Sequence, residues 1–76
     1  MKAKVGISEI LEAFKKEFGK ETFSKEEAIK IIRLLYQKKT GEPCSKNTAM
    51  DKFKYLIDIG KIKPSSGGYF YQLVEG

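Results

Sequence analysis

The chain has 76 residues, with 15 Lys and Arg against 10 Asp and Glu, so its formal net charge is +5. It contains one Cys and no His, which excludes a Cys/His zinc site, a His-dependent triad and an internal disulfide. No stretch approaches the roughly 18 apolar residues of a membrane span, and no signal peptide is recognisable. These features predict one small, basic, cytoplasmic domain without a cofactor or membrane partner. The abundance of Lys and Glu, with few amide side chains, is typical of a thermophile.

The first predicted element is a helix at Ser8–Phe18. Its apolar residues fall at i, i+3, i+4, i+7 and i+11 on one continuous face, and polar residues fill the other. Gly19 is the predicted stop, because glycine accepts the left-handed conformation that follows many helices. Residues 1–6 are predicted as an N-terminal arm, and residues 7–76 as the domain.

The second predicted helix begins at Ser24 and runs to about Lys39. Ser24 and Glu27 have capping-box spacing, in which the two side chains satisfy free N–H groups of the first turn. Phe23, just before them, is predicted in a brief extended segment. Leu34 lies off the apolar face of this helix, so Leu34 and the N-terminal arm are candidates for a dimer contact.

A tight turn separates the second helix from a third. Gly41 suits the left-handed residue after a helix, and Pro43 prevents the helix from continuing. Cys44 lies near a helix N-terminus, a position that can lower a thiol pKa. Because the sequence has no His to partner it, no catalytic role is expected, and Cys44 is predicted to be a small buried filler in this turn. Ser45 is the predicted cap of the third helix, which runs to Ile59.

After the third helix the apolar period changes from helical to alternating. Lys61–Lys63 alternates as a strand, and Pro64 confines that strand to a sheet edge, because proline cannot donate to a ladder. A Ser-Ser-Gly-Gly turn leads into Tyr69–Val74, an aromatic and β-branched run typical of a strand. The predicted fold class is therefore α+β and mostly α, with three helices followed by a two-stranded β-hairpin.

This order of elements resembles the winged helix-turn-helix family over about Ile7–Val74. Gly41–Ala49 is similar to the family's turn into its recognition helix, where Ser or Thr caps the helix and a small residue faces inward. Phe53–Ile62 is similar to the end of that helix, an apolar pair followed by glycine and a strand, and Gly68–Leu73 resembles the second wing strand. The resemblance implies a winged helix whose third helix enters the DNA major groove while the wing contacts flanking backbone.

The same resemblance places DNA-reading residues in the N-terminal part of the third helix. The predicted recognition residues are Lys46, Asn47, Thr48, Met50, Asp51 and Lys54. Asn47 has a donor–acceptor edge suited to adenine, and the lysines suit phosphates. The family's DNA readers often carry Arg, Ser or Gln where this chain has Met50 and Asp51, and a carboxylate repels phosphates. The alternative is that the lysines are only solvated and that Asn47 and Thr48 only support the helix start.

Charge distribution favours the same surface. Residues 38–63 carry seven Lys against three Asp and Glu, which is +4 of the net +5. The predicted contacts of the wing and its flanks are Lys38, Lys39, Lys61, Lys63, Ser65, Ser66, Gly67 and Tyr69. The alternatives are a Lys-rich thermophile surface and a plain hairpin turn.

These features predict a small sequence-specific protein that binds double-stranded DNA as a transcriptional regulator. No enzyme activity is expected, because the sequence has no carboxylate pair, Gly-rich phosphate loop or metal-ligand spacing. A homodimer would place its two half-sites about one helical turn apart, near 34–36 Å. The alternative is a winged-helix module that docks a protein partner in a transcription or replication assembly, which Asp51 and Asp58 on the exposed helix face favour.

Overall fold

Three helices and three short strands make up the fold in the computed structural model, which describes residues 5–65 and 67–74. In chain order they are α1 (Ile7–Glu17), β1 (Phe23–Ser24), α2 (Lys25–Thr40), α3 (Lys46–Asp58), β2 (Ile62–Pro64) and β3 (Phe70–Leu73). The α+β, mostly helical class is confirmed, and the helix ends lie within one residue of the predicted ones. None of the described helices is long and apolar enough to cross a membrane.

The predicted hairpin is part of a three-stranded antiparallel sheet with the order β1–β3–β2. β2 pairs with β3 so that Ile62 lies opposite Leu73. On the other side of β3, Phe23 of β1 lies opposite Tyr71. The prediction of two strands is therefore one strand short, because a two-residue strand is too brief to show an alternating pattern. Pro64 lies in an edge strand, as predicted.

The turn between α2 and α3 is fixed at both ends by local chemistry. Gly41 ends α2 with a φ of +87°, a left-handed conformation that costs other residues roughly 1–2 kcal/mol. At the start of α3, Ser45 Oγ accepts a hydrogen bond from the Thr48 N–H at 3.2 Å. Ser24 caps α2 in the same way, since its Oγ accepts from the Glu27 N–H at 3.2 Å. α2 therefore ends at Gly41 and α3 begins at Ser45, as predicted.

Replacing Ser45 with Ala is expected to lower the free energy of unfolding by about 1 kcal/mol, because the Thr48 N–H loses its capping oxygen. Urea denaturation followed by circular dichroism measures this change. Ser8→Ala is the matched control, because Ser8 lies inside α1, where Gly6 is the N-cap residue. Equal losses in the two variants would contradict the capping role of Ser45.

The core lies between the three helices and one face of the sheet. Its largest fully buried side chains are Ile10, Phe14, Phe23, Ile32, Phe53, Leu56 and Ile62. Phe23 stacks on Phe18 with ring centroids 4.5 Å apart, and Phe14 lies 5.5 Å from Phe23. Phe53 of α3 meets Tyr71 of β3 edge-on at 4.9 Å. These aromatic pairs hold α1 and α3 against the sheet, and each contributes about 0.5–1.5 kcal/mol beyond its burial.

Part of the predicted N-terminal arm packs with the domain. Val5 is buried in the core. The next residue, Gly6, donates its N–H to Glu9 Oε2 at 3.0 Å and so begins α1. Residues 1–4 lie outside the described part of the chain. The burial of Val5 shows that the apolar core extends one residue beyond the helix cap.

Candidate nucleic-acid interface

One side of α3 is buried, and the opposite side faces solvent. The buried residues are Ala49, Phe53 and Leu56. The exposed residues of the helix are Lys46, Asn47, Asp51, Lys54, Tyr55 and Asp58. Four of the six predicted recognition residues are therefore exposed, in a helix that starts directly after a fixed turn.

The other two predicted recognition residues take part in the fold. Met50 is half-buried and packs against the core. The Thr48 Oγ1 lies 3.0 Å from Ser45 Oγ, and the Thr48 N–H donates to the same oxygen. Thr48 therefore supports the helix start, as the alternative reading of this residue held.

The exposed residues of α3 form its exposed stripe, in which two positive side chains are matched by two negative ones. Lys46 and Lys54 lie among the carboxylates of Asp51 and Asp58, and all four side chains are exposed. A balanced stripe gives no net attraction for a polyanion. A net attraction for phosphates therefore comes from the cations around α3, while Lys46 and Lys54 remain able to contact individual phosphates.

Lys39, one of the predicted flanking cations, is paired with α1. Its Nζ forms an ion pair and a hydrogen bond with Glu9 Oε1, and Glu9 Oε2 accepts the Gly6 N–H. The hydrogen bond from Lys39, followed by that from Gly6, lowers the pKa of Glu9 below its usual value. Lys38, the neighbouring predicted contact, is exposed at the end of α2. The pairing could not be predicted from helical spacing, because Glu9 and Lys39 lie 30 positions apart.

The lowered pKa of Glu9 predicts that replacing Glu9 matters more at neutral than at acidic pH. A carboxylate whose pKa is lower in the folded state stabilises the fold above its unfolded pKa, and this contribution is lost as the pH falls through the folded pKa. Glu9→Gln is therefore expected to lower the melting temperature near pH 7 and to have a smaller effect below about pH 4. Thermal melts of both proteins across this range measure the difference.

The control for this pH dependence is Glu12→Gln, which removes an exposed carboxylate of the same helix. Among the residues that the structure describes, Glu12 forms no ion pair. Melting temperatures of Glu9→Gln that run parallel to those of the original protein at every pH would refute the role of the pair.

The hairpin loop presents backbone and one aromatic ring. The Ser65 N–H donates across the hairpin at 2.8 Å, and the Gly68 N–H donates to Ser65 O at 3.3 Å. Gly67 and Gly68 are exposed, and the Tyr69 side chain is 82% exposed. Three predicted wing residues, Ser65, Gly67 and Tyr69, thus lie together, while Ser66 lies outside the described residues.

Lys63, a predicted wing contact, lies on a basic groove that α1 also helps to form. It pairs with Gln72 across the sheet, and with Lys15 and Lys20 it lines this groove. Gln72 Nε2 donates to Lys20 O at 3.3 Å, which fixes the segment after α1 beside β3. Lys61, the remaining predicted contact, is exposed just before β2. Lys15 and Lys20 were not predicted, because only the tertiary fold brings them to Lys63.

A third set of cations lies where α2 meets the following turn. Arg33 Nε donates to Cys44 O at 2.9 Å. Together with Lys30 and Lys46, Arg33 lines a groove of about 450 Å³. Arg33 and Lys30 were also not predicted as functional residues. Their three-residue spacing on α2 places them on one face of the helix. This spacing was the signal by which the sequence could have indicated a shared basic surface.

Cys44 packs against the core, as predicted for a filler of the turn, but it is half-buried rather than fully buried. Burial raises the pKa of the Cys44 thiol above its usual value. Desolvation therefore outweighs the nearby Arg33 charge, which acts to lower the pKa of this thiol. Within residues 5–65 and 67–74, no three acidic or thiol side chains come together to hold a metal ion.

Comparison with known proteins assigns no family to the chain. No protein-family model matches it, and neither a curated protein nor a solved structure does. The function of the interface must therefore be inferred from its own residues, charges and geometry.

Proposed function

We propose that the chain is a winged-helix protein that binds double-stranded DNA, with α3 in the major groove and the hairpin loop on flanking backbone. The observation that carries this proposal is the placement of α3. Its exposed N-terminal half follows a turn closed by Gly41 and capped by Ser45, while its opposite face is locked into the core. An α-helix fits the major groove, and in helix-turn-helix proteins the N-terminal residues of the second helix contact the base edges.

The exposed residues suggest separate roles in DNA binding. Asn47 can make a bidentate contact with adenine, while Lys46 and Lys54 suit phosphates on either side. Gly67 and Gly68 leave the hairpin loop without side chains at two exposed positions, so the backbone there can approach a phosphate closely. A second copy of the chain on the same duplex would read a second half-site about 34–36 Å away. Sequence-specific regulation of transcription is the role that this division of contacts supports.

Salt dependence of duplex binding tests the proposal. Five predicted contacts form no ion pair among the described residues: Lys38, Lys46, Lys54, Lys61 and Lys63. If all five neutralise phosphates, log K should fall with log salt at a slope of roughly −4.5. Fluorescence anisotropy with a labelled random-sequence duplex gives the slope, and the same titration gives the stoichiometry. A flat salt dependence, or no binding at low salt, would overturn the proposal.

A second candidate function is docking of a protein partner on α3, which the balanced stripe favours. Asp51 and Asp58 are exposed there, and the Tyr55 side chain is 50% exposed. The double substitution Asp51→Asn and Asp58→Asn separates the two functions. If α3 reads DNA, loss of two phosphate-repelling charges strengthens duplex binding. If α3 docks a protein, duplex binding stays unchanged.

A further inference from the structure

We propose that the groove between α2 and the α2–α3 turn binds an acidic segment of a partner protein that carries apolar side chains on one face. The groove has a volume of about 450 Å³ and is formed by one face of α2 together with Pro43 and Lys46. Its position makes it distinct from the exposed stripe of α3, although Lys46 borders both surfaces. The inference goes beyond the proposed DNA binding and does not depend on it.

The floor of the groove is apolar. Leu34, whose side chain is 42% exposed, lies there with the nearly buried Ile29 and the exposed Pro43. Leu34 points away from the core face of α2, so its exposure is not explained by packing within the domain. An apolar floor inside a charged rim is the usual anatomy of a protein-binding surface.

The rim of the groove is predominantly cationic. Lys30, Arg33 and Lys46 line it, against one carboxylate from Glu26. In the part of the chain that the structure describes, none of these three cations forms an ion pair. The excess of positive charge is complementary to an acidic partner and would repel a basic one.

Arg33 is held in position for carboxylate binding. Its Nε donates to Cys44 O at 2.9 Å, which ties the guanidinium to the turn. The described residues give Arg33 no other hydrogen bond, so both Nη groups can donate to a ligand. A guanidinium that is already oriented loses less entropy when it binds a carboxylate in a bidentate fashion.

The apolar floor favours a protein over a nucleic acid as the occupant. A nucleic acid would gain favourable contacts between its phosphates and the side chains of Lys30 and Arg33. It would gain no contact energy from Leu34, because protein–DNA interfaces are polar and strongly basic. A helix or extended segment with alternating acidic and apolar faces would use both the rim and the floor. Because Lys46 also borders the DNA-reading face, such an occupant would compete with DNA for this side chain.

Binding of a defined acidic peptide to the full chain tests the proposal. The probe is a fluorescein-labelled peptide of three Glu-Glu-Leu-Leu repeats, whose helix has one acidic and one apolar face. We expect saturable anisotropy, with binding weakened about tenfold by Arg33→Ala and by Leu34→Ala, since truncated interface anchors commonly cost this much. Arg33→Lys keeps the positive charge but lacks the paired donors of the guanidinium. Its affinity for the peptide should therefore fall between those of Arg33→Ala and the original protein.

Matched variants separate the groove from general charge and apolarity. Lys16→Ala removes one exposed cation of α1 outside the groove, and Ile59→Ala trims a side chain that is 41% exposed. Both should bind the peptide like the original protein. A peptide with Lys in place of Glu should not bind. We expect circular dichroism melts to show that Arg33→Ala and Leu34→Ala remain folded, because both residues lie on the surface of α2.

Four results would overturn the proposal. The first is absence of peptide binding at concentrations up to about 1 mM, which leaves no meaningful affinity. The second is unchanged peptide binding in both groove variants. The third is loss of duplex rather than peptide binding in Arg33→Ala and Leu34→Ala, which would make the groove a nucleic-acid surface. The fourth is a dimer in sedimentation that Leu34→Ala dissociates while peptide binding persists. DNA binding is tested separately with variants of Asn47 and Lys54, which lie outside the groove. Its failure can therefore be distinguished from failure of the groove proposal.

Discussion

Phe14→Ala is expected to lower the free energy of unfolding by about 3–5 kcal/mol. The Phe14 ring is fully buried, and its centroid lies 5.7 Å from that of Phe18 and 5.5 Å from that of Phe23. Removing it leaves a cavity where α1 meets β1, and it deletes two aromatic contacts. A domain of 76 residues has roughly 4–11 kcal/mol of stability in total, so this single change removes a large share of it.

The matched control for this core substitution is Phe70→Ala. Phe70 lies in β3 with 48% of its side chain exposed, so the same atoms are removed with little cavity formation. Its loss should stay below about 1.5 kcal/mol, well under the cost expected for a buried phenylalanine. Urea denaturation followed by circular dichroism measures both. Similar losses in the two variants would mean that the aromatic cluster does not dominate the core.

The double substitution Lys46→Ala and Lys54→Ala is expected to make the slope of log K against log salt less steep by about 2. Both side chains are exposed on α3, and neither forms an ion pair in the described chain. The reason is that each lysine that contacts a phosphate releases a counterion, so the loss is the same for every duplex sequence. Anisotropy titrations at several salt concentrations, with random and selected duplexes, measure this slope.

Two comparisons make this DNA-binding prediction specific. Lys16→Ala with Lys25→Ala removes the same charge from outside all the predicted DNA contacts, and it should leave the slope nearly unchanged. Asn47→Ala removes the predicted base contact, so it should cost about 1–3 kcal/mol on the preferred duplex and little on random duplex. If the control pair of lysines changes the slope as much as the α3 pair, the attraction is only the net charge of the chain.

Local chemistry made much of the secondary structure predictable. Gly41 and Ser45 act within a few residues of where they stand, through a left-handed φ and a capping oxygen. The apolar period placed Phe53 and Leu56 correctly inside α3. β1 was not predicted as a strand because its two residues are defined by their pairing with β3. Phe23 pairs with Tyr71, which lies 48 positions further along the chain. Such pairing leaves no trace in a two-residue pattern.

The candidate interface was only partly predictable, for a related reason. The helical period identified Asn47 and Lys54 as exposed. It could not show that Thr48 joins the Ser45 cap through its hydroxyl, or that Lys39 pairs with Glu9. Spacing gives the direction of a side chain on its own helix, whereas a bonding partner depends on how the elements pack.

The sequence by itself determined the helices, the N-caps of α2 and α3, the hairpin and the surplus of positive charge, because each depends on residues that are close along the chain. Only the tertiary structure decided how that charge is divided. It pairs Lys39 with α1, gathers Lys15 and Lys20 beside Lys63, and joins Arg33 to the α2–α3 turn. Charges act through space, so their effect depends on distances that packing alone sets. The net charge of +5 is thus distributed over separate basic surfaces around α3, whose own exposed charges cancel.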